Sequence, residues 1–268
     1  MASAPWRIVR ASVVGSSHIK AGEPCQDFSL HELIYTAQSG QILVAVISDG
    51  AGTAEQAALA SSTTCHEFVA LVRLFIADGG QISSLDRTRA EHWVKQIVEK
   101  LEREAQESGH HVRDYACTLL AAIIANDAAA FLQVGDGAMV ISHGEEDGWS
   151  WVFWPQHGEF ANATNFVVSD NALQVLEFEL APRRVDEIAL FTDGLENLVL
   201  HHGTKTVHDP FFDALLKPVR RTISAGHDED LSEKLKSYLA SPAFCERTDD
   251  DKTLLIASRK SVPAGEAP

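Results

Sequence analysis

Largely uncharged runs of strand length recur along this chain, and one after another they meet an aspartate. Ile42–Ile47 runs into Ser48-Asp49-Gly50, Ala128–Val134 into Gly135-Asp136-Gly137, and Glu187–Phe191 into Thr192-Asp193-Gly194. Asp27 stands directly before Phe28–Tyr35, and Asp250 shortly before Thr253–Ala257. Short apolar runs without a helical period read as strands buried on both faces. Strands that share such an end can aim several carboxylates at one point. Oxygen donors gathered without His or Cys partners suit a hard cation such as Mg²⁺ or Mn²⁺.

The remaining pattern sets the fold class. Trp6–Val14 alternates as a strand, and the Gly- and Pro-broken stretch Gly15–Asp27 reads as a loop. The capping spacing of Thr53 and Gln56 predicts a helix from Thr53 to Ile76, and a second runs from Asp86 to Ser108 with Gly109 as its stop. Ala116–Ala125, Ala128–Val134, Ala138–His143 and Trp149–Trp154 follow as four strands, which short turns join into an antiparallel meander. Leu173–Leu180 and Glu187–Phe191 read as strands, Phe211–Leu216 and Glu229–Leu239 as helices. Antiparallel blocks with inserted helices make an α+β protein rather than a repeating βαβ one. With no internal repeat and no Pro/Ser linker, residues 1–259 read as one domain, followed by a disordered tail over 260–268.

Charge and cysteine usage narrow the function. The 38 acidic and 22 basic residues give a formal charge of −16, which argues against a nucleic-acid partner because phosphate backbones need clustered cations. Cys25, Cys65, Cys117 and Cys245 show no C-x-x-C spacing and sit in or beside apolar segments, as free thiols of a reducing cytoplasm do. No leader-like N-terminus and no run long enough to span a bilayer is evident, so no membrane partner is expected.

Taken singly, an Asp-Gly pair is a turn signal; Asp147-Gly148 after Glu145-Glu146 reads as a hairpin turn and nothing more. The combination is more specific. Ser48-Asp49-Gly50, Cys117-Thr118, Gly135-Asp136-Gly137, Phe191-Thr192-Asp193-Gly194-Leu195 and Asp250-Asp251-Lys252-Thr253 occur in the order and approximate spacing of the metal-dependent type 2C protein serine/threonine phosphatases. The chain resembles that family over about residues 10 to 258. The pieces Gly15-x-x-His18, Cys25-Gln26-Asp27 and Gly158–Asn162 resemble a bacterial branch.

The resemblance implies a four-layer α-β-β-α sandwich of two antiparallel sheets between helices. It implies two divalent cations, Mn²⁺ or Mg²⁺, that activate a water to hydrolyse phosphoserine and phosphothreonine on protein substrates without a phosphoenzyme. Asp49 would bridge the two, with the Gly50 carbonyl as a further ligand; Asp193 and Asp250 would hold the first, and Asp27 the second. Asp136 would help bind a third, weaker one, and Thr118 would be structural. Asp251 stands where the family usually has Asn, and Gln26-Asp27 replaces an acidic pair. The family's phosphate-binding arginine has no counterpart, which leaves His18 or Lys20 as substitutes. Ala51 stands where eukaryotic members place a histidine, so the proton would come from a cation-held water or from His18. Pro155–Phe166 would form a flap that shapes substrate choice.

Rival readings are weaker. Ser17-His18-Ile19-Lys20 with Ser169-Asp170-Asn171 mimics two penicillin-enzyme motifs, but no Lys-Thr-Gly completes them. His110-His111 and His201-His202 lack a third ligand at zinc spacing. Trp149, Trp151 and Trp154 read as packing residues, and no P-loop is present. A non-catalytic relative used as a binding module and a phosphatase of small metabolites stand as alternatives.

Overall fold

A computed structural model describes residues 4–142, 148–156 and 164–260. The expected turn at Asp147, the flap centre Gly158–Asn162 and the tail beyond Lys260 lie outside the described residues.

Two sheets carry the molecule. The six-stranded sheet has the order β12-β1-β13-β9-β6-β7, built from β1 (Arg7–Val13), β6 (Ala138–Ser142), β7 (Ser150–Trp151), β9 (Glu187–Phe191), β12 (Gly226–His227) and β13 (Lys252–Ser258). The five-stranded sheet runs β2-β3-β4-β5-β8, from β2 (Phe28–Thr36), β3 (Gly40–Ser48), β4 (Leu119–Ile124), β5 (Ala129–Val134) and β8 (Glu177–Ala181). Pairing is antiparallel throughout both, except for the short parallel contact of β12 with β1.

The two-residue period of a strand explains the continuous apolar runs. On β3, Leu43, Ala45 and Ile47 face the other sheet, while Ile42, Val44 and Val46 face helices. The inner set meets Ile8, Ile188, Leu190 and Leu255 of the six-stranded sheet in one buried layer. The outer set packs on α2 (Ala57–Ala77) and α3 (Arg87–Ser108), through Phe68, Val72, Trp93 and Ile97 among others. Across the molecule, Leu254 and Phe191 face α6 (Asp209–Arg221) and α7 (Glu229–Leu239) through Phe212, Leu216 and Leu239. The result is the expected α-β-β-α layering. Smaller helices are α1 (Ser16–Ala21), α4 (Ala172–Val175), α5 (Asp193–Val199) and α8 (Pro242–Cys245), and β10 (Leu200–His201) pairs with β11 (Thr206–Val207).

Several sequence expectations need correction. The supposed meander breaks at Gly135-Asp136-Gly137: β6 does not return along β5 but crosses to the other sheet and pairs with β9, Ala138 opposite Phe191. The loop after β1 contains α1. Residues 51–56 are consumed in a tight turn, with the Ala54 N–H on the Ala51 carbonyl and the Ala51 N–H on the Ala116 carbonyl, so α2 starts at Ala57 rather than Thr53. Leu173–Leu180 divides into α4 and β8, and Trp149–Trp154 keeps only the two residues of β7 as strand. Among the described residues one helix, α2, is after all long and apolar enough to cross a bilayer by length and composition; its apolar positions instead cover the five-stranded sheet.

Candidate active site

The five aspartates expected to hold cations sit at the same end of the two sheets. Asp27 enters β2, Asp49 leaves β3, Asp136 turns the corner from β5 to β6, Asp193 leaves β9 to open α5, and Asp250 leads into β13. Strand pairing aligns these ends: Phe28 lies opposite Ser48, and Phe191 opposite both Ala138 and Leu254. A cleft of about 480 Å³ opens there, lined by Asp49, Asp136, Asp193 and Asp250 together with Gly50, His18 and Thr118. Asp27 does not line it; it lies buried beneath, 5% exposed.

The local sequence holds these groups. Thr118 takes the Asp49 N–H on its hydroxyl at 2.9 Å and donates its own N–H to the Asp49 carbonyl at 2.8 Å. Its structural role is therefore direct: it fixes the backbone of Asp49. The Thr192 hydroxyl donates to Asp27 Oδ2 at 2.7 Å and accepts the Thr253 N–H at 3.0 Å, tying three strands at one atom. Thr164 donates to Asp136 Oδ2 at 2.5 Å. Both Asp-Gly pairs need their glycine, because a Cβ at Gly50 would stand 2.6 Å from the Ala57 carbonyl oxygen and one at Gly194 only 1.9 Å from that of Asp251.

Asp251 serves differently from its neighbour. It is 2% exposed, and its carboxylate accepts the N–H groups of Gly15 and Gln26, each at 2.6 Å. His18 Nδ1 lies 2.9 Å from Asp251 Oδ1, without the alignment of a hydrogen bond. The other ring nitrogen is 3.8 Å from Glu23. Lys20, the second substitute for the absent arginine, is exposed and does not line the cleft.

No Lys or Arg lines the cleft, and the nearest ammonium, that of the buried Lys252, is bonded to the Asp250 carbonyl at 2.9 Å. Burial pushes the Asp27 carboxyl above the usual range, and Asp251 and Asp193 push it further. Burial does the same to Asp49, helped by Asp27 and Asp193, and to Asp193, helped by Asp136 and Asp250. Asp27 Oδ1 and Asp193 Oδ1 are buried and have no hydrogen-bond partner, an arrangement costly in a folded protein unless a cation satisfies it. Among the described residues no three His, Cys, Asp or Glu side chains already close into a metal cage. The donors nevertheless suit a hard divalent cation: anionic oxygens, several of them buried, with orphaned lone pairs. The histidine pairs are engaged elsewhere, His110 with Glu55 and Gln56, and His202 with Glu196.

Sequence reasoning missed Thr192 and Thr164 as anchors and Asp251 as the partner of His18. Thr192 was visible within the Thr-Asp-Gly triplet, whereas Thr164 carried no signal.

Comparison with known proteins agrees with this geometry. The family model described as protein phosphatase 2C matches residues 14–240. Serine/threonine-protein phosphatase 3 of Escherichia coli (strain K12) is 36% identical over 255 residues, covering 94% of this chain and 98% of that protein. Two solved structures share the fold at low identity. PppA, described as a key regulatory component of T6SS in Pseudomonas aeruginosa, aligns with a TM-score of 0.61 at 17% identity over 96% of this chain and 99% of that one. The S. agalactiae serine/threonine phosphatase aligns at 0.60 and 15% identity, over 95% and 100%. A family match over most of the length, on a chain whose strand ends gather acids in the way described, makes this protein a member of the protein phosphatase 2C family.

Proposed function

We propose that the chain hydrolyses phosphoserine and phosphothreonine monoesters on proteins, using divalent cations held at the carboxylate cleft. One observation carries the reading: four carboxylates from four separate strand ends line one cleft, with a fifth beneath it and two buried oxygens left without partners. Asp49, Asp193 and Asp250 with the Gly50 carbonyl are the ligands we assign at the cleft, Asp27 a ligand from below, and Asp136 the holder of a weaker additional cation. The family match ends at residue 240, so Asp250 rests on its place at the cleft. Mg²⁺ or Mn²⁺ bound there would supply Lewis acidity toward the phosphoryl oxygens and make a water acidic enough to attack near neutral pH.

The chain's own residues do the rest. Thr118 and Thr192 hold Asp49 and Asp27 against movement. His18, braced by Asp251, presents its ring at the cleft wall and hands a proton to the departing serine or threonine oxygen. Cys25 is no nucleophile: burial, Asp27 and Asp251 raise its thiol far above the ordinary value. Four unbonded thiols support a cytoplasmic setting. The non-catalytic alternative is disfavoured, because a module without cations would gain nothing from keeping these carboxylates crowded and partly buried.

Turnover of a phosphothreonine peptide with Mn²⁺ tests the reading. Asp49→Asn and Asp193→Asn should each lower kcat by about a hundredfold or more. Undiminished turnover in either variant overturns the assignment.

A further inference from the structure

A second cavity, of about 340 Å³, lies beside the catalytic cleft and is lined by Arg113, Ala116, Phe166, Val168, Ser169 and Asp170. The two share Phe166. The wall between them is one hydrogen-bonded backbone pair, the Ala51 N–H on the Ala116 carbonyl at 2.9 Å, with Ala51 on the cleft side and Ala116 on the other. The two cavities therefore adjoin, and an extended peptide, which advances about 3.3 Å per residue, can reach from one into the other.

The cavity's chemistry is two-sided. Its floor is apolar: Ala116, Phe166 and Val168 line it and pack with the buried Ala51, Ala54 and Ala57 behind them. Its rim carries the exposed Arg113, whose guanidinium makes no hydrogen bond or ion pair among the described residues. Arg73, Arg87, Arg184 and Arg220 are all paired with acids, as expected where acids outnumber bases 38 to 22. Arg113 sits in the single turn Val112–Tyr115. Reciprocal hydrogen bonds between His111 and Asp114, and the Gln56 N–H on the Asp114 carbonyl, fix that turn. A guanidinium on a fixed turn above an apolar floor matches a glutamate: the methylenes cover Phe166 and Val168, and the carboxylate meets the fork.

We propose that this cavity is a substrate subsite that receives the residue flanking the phosphorylated serine or threonine, and that Arg113 selects a carboxylate there. The inference rests on the phosphatase reading of the neighbouring cleft and names the class of its substrates: acidic phosphopeptides.

The test uses phosphothreonine peptides identical except for Glu, Ala or Lys beside the phosphoresidue, on either side in turn. The full chain with Mn²⁺ should favour the Glu peptide over the Ala peptide by about tenfold in kcat/KM, chiefly through KM, on one side only. Arg113→Glu should remove that preference and shift it toward Lys, and Arg113→Lys should retain part of it. The same ranking should appear in binding of labelled peptides to Asp193→Asn, read by fluorescence anisotropy. A Glu-to-Ala ratio equal in the wild type and Arg113→Glu overturns the proposal. So does a uniform loss across all three peptides and an aryl phosphate, or a wild-type preference for Lys through Asp170. If the wild type turns over none of these compounds, the phosphatase reading fails on its own, and the anisotropy ranking still decides the subsite: an Arg113-dependent preference for Glu keeps it, and none overturns it.

Discussion

At the scale of single residues, the aspartates were legible because charge at the end of an apolar run is costly and so conspicuous. Their partners were not, since a threonine that donates one hydrogen bond resembles any other threonine in a strand. His18 shows what a side chain's role owes to the fold. Its sequence neighbours Ser17 and Lys20 suggested nothing decisive; its value comes from Asp251, 233 positions further along the chain, at 2.9 Å. If His18 delivers the proton, its loss should hurt poor leaving groups most. His18→Gln should lower kcat on a phosphothreonine peptide by about a hundredfold, while an aryl phosphate, whose leaving group needs no proton, loses far less. Equal losses on both substrates would reduce His18 to a phosphate-binding or structural residue.

Among the elements, β3, β9, α3 and α7 follow from the residue pattern, while Asp86 and Asp228, which the sequence reading did not single out as caps, prove to be N-caps that accept backbone N–H groups. What the pattern could not convey was pairing. Gly135-Asp136-Gly137 says that the chain bends, but not that β6 will find β9, some fifty residues later, instead of β5. A six-residue helix such as α1 is too short to show a period. The junction of α5 with β13 is a further case, where the Asp-Gly signal was read for its acid and the glycine proves as necessary. Gly194→Ala would drive a methyl into the Asp251 carbonyl. We expect a loss of about 2–3 kcal/mol in urea unfolding, together with reduced turnover because Asp193 and Asp250 would be prised apart. Wild-type stability in that variant would show that the junction relaxes freely.

For the whole molecule, two measurements report on the layered fold and its charges. His31 of β2 stands edge-on to His227 of β12, ring centroids 5.1 Å apart. Burial, then Arg10 and His227, depress it from 6.5 to about 4. Between those values the unfolded chain binds a proton at this position that the folded one refuses, so the contribution of His31 to stability falls as pH drops from 6.5 toward 4. His31→Phe should flatten Tm against pH over that window, and an imidazole titrating near 6.5 by NMR would refute the depression. The second measurement concerns cations. Because the aspartates repel one another without counter-charge, a chelator should lower Tm and added Mn²⁺ should raise it. Asp193→Asn should blunt that rise, and a Tm indifferent to Mn²⁺ would argue against a cation site at the cleft.

The position of β13 has a further meaning. It lies between β1, the first strand, and β9 in the six-stranded sheet, and Asp250 enters with it. Until that late segment has left the ribosome, the first strand lacks its antiparallel neighbour and the acids lack one of their number. A nascent chain should therefore stay silent toward a phosphothreonine peptide until β13 has joined the sheet. A stop or a cut ahead of Asp250 should leave an inert fragment, whereas loss of the residues after Lys260 should not.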